Sequence, residues 1–119
     1  PGIGPKKVRA LWDGLGIVTL NQLEQAAKDG RARVFVGSMI PQVAGRPRAM
    51  TPVSELLAYN NTLQIMSVQE GITYVDLYNT MMPDAATLIG SDGLHPTEVG
   101  YKRMADVFFA AIQANLEVK

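Results

Sequence analysis

The chain has 119 residues, and its 11 Lys plus Arg balance 11 Asp plus Glu. A folded chain of this length hides roughly two-thirds of the surface that its unfolded form exposes, enough for one core and too little for two independent catalytic domains. With no Cys, disulfide frameworks and thiolate metal sites are excluded.

The neutral total conceals a division, because residues 1–33 carry net +3 and residues 34–119 carry net −3. Such asymmetry hints at a nucleic-acid-facing piece. No apolar run approaches the roughly 20 residues that cross a bilayer, and no charged start followed by an apolar stretch reads as a secretory signal. The expectation is a soluble chain without a membrane partner, its localisation open.

In chain order, Val8, Leu11, Trp12 and Leu15 follow the spacing of one helical face, with Pro5 suited to a first helical position, which predicts a helix over 5–14. Gly16 can take the left-handed conformation after it, and Thr19 with Gln22 reads as a capping box opening a second helix towards Lys28. Asp29 and Gly30 end it. Residues 33–36, Arg-Val-Phe-Val, read as a short strand buried on both faces. A Pro- and Gly-containing loop over 38–51 leads to Thr51 and Pro52, good residues for the start of a helix over 52–70 that Gly71 stops.

A second strand is expected over 72–77, then a polar connection over 78–96. From Thr97, Met104, Val107, Phe108, Ala111 and Ile112 repeat on one helical face to near Leu116. The fold class is therefore α/β: two N-terminal helices, then β-α-β-α with a parallel strand pair and a right-handed crossover. Two parallel strands leave unpaired edges, so self-association into a homodimer or higher oligomer is expected to complete the sheet. Val8, Leu11, Trp12, Leu15, Leu20 and Leu23 are expected to cover it.

The opening PGIGPKKVRALW, continued by LGIVTLNQLEQAAKDGR, resembles the helix-hairpin-helix motif of DNA-binding proteins, most closely the copy in family-X DNA polymerases. The motif's first helix would precede Pro1. The resemblance implies that Gly2 and Gly4 turn backbone N–H groups outward at a helix start, where Lys6 and Lys7 add positive charge and a nucleic-acid phosphate backbone is bound without reading sequence.

From about Val34 to Leu116 the chain resembles the C-terminal half of SGNH (GDSL-type) hydrolases, a flavodoxin-like α/β esterase family. Ser-Asp-Gly-Leu-His-Pro over 91–96, followed by Gly100 and Tyr101, carries the resemblance, together with VFVGSMIPQVAGRPR and YVDLY. It implies that His95 is a general base toward a serine and that Asp92 supports its imidazolium. The family draws its nucleophile from a GDS block and its oxyanion donors from that Ser, a Gly and an Asn in earlier blocks, none of which the sequence contains. Ser38, after the first strand and thus at the carboxyl edge of the sheet, is the surrogate to test.

His95 is the only His, so a metal site with three or four ligands is not expected, and no cofactor is implied. Trp12 is expected in a core or interface, and Asp76 at a strand end, hydrogen-bonded. Together the pieces read as a chimera, a truncated hairpin over 1–31 joined to half a hydrolase over 32–119 in one cooperative core. The expected function is a folded oligomeric scaffold, engineered or selected, that is not an enzyme. The alternatives are a residual esterase or acyl hydrolase and a weak binder of DNA phosphates.

Overall fold

A computed structural model describes residues 4–116, with the side chains of Val8 and Leu11 outside the described set. Two N-terminal helices, α1 (Pro5–Leu15) and α2 (Leu20–Lys28), precede strand β1 (Phe35–Gly37). Helix α3 (Val53–Glu70) crosses over to β2 (Thr73–Val75). The short helices α4 (Leu77–Met81) and α5 (Ala85–Leu88), with a 3-10 turn at Met82–Asp84 between them, lead to the long α6 (Glu98–Leu116).

The strands pair in parallel, Phe35 opposite Thr73, Val36 opposite Tyr74 and Gly37 opposite Val75. Side chains alternate between the two faces of a sheet, and each face here has its own helix. Val75 and Phe35 join the cluster that Met104, Val107, Phe108 and Ala111 of α6 pack against. Tyr74, facing the other way, lies beside Leu57 and Asn60 of α3.

Both strands are shorter than expected, and β1 starts two residues later. Around the three paired residues, Thr73 N–H donates to Val34 C=O and Ser38 N–H to Val75 C=O, which extends the ladder by single bonds. The second strand stops at Val75 because the Asp76 carboxylate accepts the N–H of Asn79 at 3.0 Å and caps α4. Asp76 thus sits hydrogen-bonded at the strand end, while Leu77 belongs to a helix.

The polar connection expected over 78–96 is helical in its first part, up to Leu88. Leu77, Met81, Ala85 and Leu88 recur at helical spacing, and all four are buried with Val75 and Ile89. This cluster, between the sheet and α6, is the core. At the start of α6, Thr97 Oγ1 accepts the N–H of Gly100 at 3.1 Å, as an N-capping side chain does.

The N-terminal helices differ from expectation. The Thr19–Gln22 capping box is present in full. Trp12 is 58% exposed and Leu20 83% exposed, Leu15 is exposed as well, and Leu23 is half-buried, so these residues do not sheathe the sheet. The part of that expectation resting on the Val8 and Leu11 side chains lies outside the described residues. Among the described residues of this region, Ile17 and Ala26 are buried, and the polar face of α2 (Asn21, Gln22, Glu24, Gln25) leaves that helix a narrow apolar stripe to bury.

Candidate active site

Residues 89–97 form a turn held at its base. Ile89 and Pro96 make an isolated antiparallel bridge, and Gly90 N–H donates to the His95 carbonyl at 2.7 Å. Inside it, Gly93 N–H donates to Gly90 C=O at 2.9 Å. Gly93 has φ +82°, and a Cβ there would stand 2.6 Å from the Arg46 Cβ and 2.9 Å from the Val43 carbonyl oxygen. Both the left-handed backbone and the close approach require glycine.

The turn brings Asp92 and His95 together and divides the carboxylate between two tasks. Asp92 Oδ1 accepts the backbone N–H groups of Leu94 and His95, both at 2.9 Å. Its Oδ2 lies 2.5 Å from Nδ1 of the His95 ring. A side-chain oxygen accepting from residues two and three positions ahead is the Asx-turn geometry that favours Asp in such loops. The sequence Asp-Gly-Leu-His therefore builds its own pair locally.

The His95 ring holds the Asp92 carboxyl well below the usual carboxylate range, and the N–H groups of Leu94 and His95 push it the same way. An ionised Oδ2 makes Nδ1 the donor, so the neutral ring presents its lone pair at Nε2. That nitrogen makes no hydrogen bond among the described residues, and the His95 side chain is 57% exposed. The arrangement is a base with a free, solvent-reachable nitrogen and an anion behind it.

A second loop backs the turn. Val43 N–H donates to Gly93 C=O at 3.0 Å and Arg48 N–H to Asp92 C=O at 2.7 Å. Residues 43–49 follow β1 and the turn precedes α6, so chain segments far apart in sequence meet at this edge of the sheet. The three bonds donated by Arg46, two to carbonyls of the turn and one to the carbonyl of Ala86 in α5, carry no local sequence signal, and sequence reading missed them.

Ser38 is not joined to His95 among the described residues. It is 5% exposed, and its Oγ accepts the N–H of Tyr78 at 2.9 Å. Burial raises the pKa of the neighbouring Tyr74 phenol, with Ser38 pulling the other way. A small hydroxyl after β1 thus ties the two strand ends to α4. Gly4, Lys6 and Lys7 lie exposed at the start of α1, and Gly2 lies outside the described residues. Among the described residues no three His, Cys, Asp or Glu side chains converge on a metal-sized site, and no helix is long and apolar enough to cross a membrane.

The family model for GDSL-like lipase/acylhydrolase matches residues 18–108. The match includes α2 and therefore overlaps the segment 1–31 read as a hairpin. No curated protein matches the chain. Among solved structures, the lipase/acylhydrolase from Enterococcus faecalis is similar with a TM-score of 0.65 and 22% identity, over 83% of this chain and 52% of that one. An alpha/beta hydrolase enzyme from the metagenome of Lake Arreo, Spain, is similar with a TM-score of 0.56 and 18% identity, over 98% of this chain and 59% of that one. The chain thus spans between half and three-fifths of the length of these structures.

Proposed function

Because the chain belongs to the family of GDSL-like lipases and acylhydrolases, we propose that its Asp92–His95 pair is the acid–base half of an ester-hydrolysing centre. The observation that carries the reading is the double engagement of Asp92, with one oxygen on two backbone N–H groups and the other 2.5 Å from the imidazole Nδ1. That geometry orients a base without occupying the nitrogen that does the work.

In this mechanism His95 Nε2 takes the proton of a serine hydroxyl as its oxygen bonds to the acyl carbon. Asp92 stays ionised and stabilises the imidazolium. Collapse of the tetrahedral intermediate breaks the ester C–O bond, and the imidazolium returns its proton to the departing alkoxide. A water then repeats the sequence on the acyl-serine and releases the acid. The reading requires a serine of the family's GDS pattern, which the 119 residues do not contain; Ser38, engaged with Tyr78, is not assigned that role.

An inert chimeric scaffold has less support than this reading, since the family match runs through residues 18–31 as well as through the pair. The test is turnover of p-nitrophenyl esters together with trapping by a fluorophosphonate and mass spectrometry. With a segment that carries the family's GDS serine supplied to the chain, a phosphonylated serine on that segment, and a loss of roughly 10²–10⁴-fold in kcat/KM in His95→Ala, are the expected results. No trapped serine and no turnover above that of free imidazole overturn the reading.

We further propose that a second copy pairs along the outer edge of β1, where the backbone of Phe35 and Gly37 has no strand neighbour among the described residues. Light scattering at micromolar concentration should give at least a dimer, and a clean monomer ends this part of the proposal.

A further inference from the structure

One link between the turn and the rest of the fold is a side chain distant from it in sequence. Arg46 Nη1 donates to the carbonyls of Ile89 at 2.8 Å and Gly90 at 2.9 Å, and Nη2 donates to Ala86 C=O at 3.3 Å. These are carbonyls at and just beyond the end of α5, groups that a helix leaves without internal partners. A planar guanidinium reaches all three as one fork.

Gly90 is the point where this strap meets the pair. Its carbonyl takes the Arg46 guanidinium on one side and the Gly93 N–H on the other, while its N–H donates to the carbonyl of His95. Both lone pairs of that oxygen are thereby used. The stem of Arg46 also packs against Gly93, since a Cβ on that glycine would lie 2.6 Å from the Arg46 Cβ. One side chain therefore touches the first residue of the turn and the glycine between Asp92 and His95.

We infer that Arg46 is a positioning residue for the Asp92–His95 pair, acting by holding the Gly90 carbonyl and the Gly93 bend in place. The inference rests on the proposed hydrolase reading for its effect on rate, and on geometry alone for its effect on the pair. Arg46 is not among the groups that shift the Asp92 carboxyl, so its action is mechanical and does not depend on adding charge beside the pair. A lysine, with a single ammonium, can meet only part of the fork.

Arg46→Met and Arg46→Lys are compared with Arg48→Met, which removes an equal charge from the same loop but leaves the Arg48 N–H on Asp92 C=O. The first readout is the downfield Nδ1–H proton resonance of His95 at low temperature, which requires no turnover. Arg46→Met should lose or broaden it, Arg46→Lys should retain part of it, and Arg48→Met should match the wild type. In ester hydrolysis Arg46→Met should lower kcat by roughly 10–10²-fold, with KM within about twofold.

A resonance and a kcat unchanged in Arg46→Met overturn the inference, as does an equal effect of Arg48→Met. If Arg46→Met does not fold, the Arg46→Lys spectrum decides alone, and one identical to wild type overturns it. A wild-type chain that shows the resonance but turns over no ester even with the GDS-bearing segment supplied refutes the hydrolase reading and leaves the strap to be judged by the resonance.

Discussion

Gly100 lies against Leu88 so closely that a Cβ on it would stand 2.0 Å from the Leu88 carbonyl oxygen. The same carbonyl accepts Thr97 N–H at 2.8 Å and Thr97 Oγ1 at 3.2 Å. The first turn of α6 is therefore seated on the end of α5, the helix from which the Asp92–His95 turn departs. Gly100→Ala should push these helices apart and cost about 1–3 kcal/mol by overpacking, read as a lower urea midpoint at an unchanged m-value.

Asp92→Asn separates the two tasks of the carboxylate. An amide oxygen can keep the N–H bonds of Leu94 and His95, but a neutral side chain cannot stabilise an imidazolium. Turnover should fall by roughly 10²–10⁴-fold while the circular dichroism spectrum stays that of the parent. Activity within twofold of the parent would show that Asp92 acts only on the backbone.

The low Asp92 pKa has a definite sign. Because the folded value lies below that of an unfolded aspartate, about 3.9, its contribution to stability is present above that pH and is lost as pH falls through the lower folded value. The carboxyl carbon of Asp92 should show no titration step near pH 3.9 in an NMR series. A midpoint at 3.9 or above would contradict the bonding described.

Ser38→Ala should act on stability and leave chemistry alone. It removes the acceptor for the buried N–H of Tyr78, at a cost of about 1–3 kcal/mol for an unsatisfied donor. The rate per folded molecule should match the parent's. Loss of turnover without loss of stability would instead return Ser38 to the role of nucleophile.

Much of this was legible in the chain itself. Thr19 with Gln22 is a capping box because both halves lie within one turn, and Asp92 with His95 is a local pair because an Asx turn needs only the next three residues. The run of short helices over 77–88 was obscured by Pro83, the methionines and scattered polar residues, although Leu77, Met81, Ala85 and Leu88 hold a helical period. Trp12, expected in a core or interface because large apolar residues bury, lies outside the core, since α1 leaves it 58% exposed. Arg46 was invisible for a different reason: its partners at 86, 89 and 90 lie some 40 residues away, and nothing local to Ala44, Gly45 or Pro47 points to them.

The two amides that Asp92 gathers on one oxygen also make the turn self-reporting. Leu94 and His95 N–H are held by Oδ1 in a segment whose imidazole is open to water, so their deuterium exchange should be slow for a surface loop. Protonating that single carboxyl would release both at once. Their exchange rates, followed together through acid, would count the molecules in which the base is still aimed.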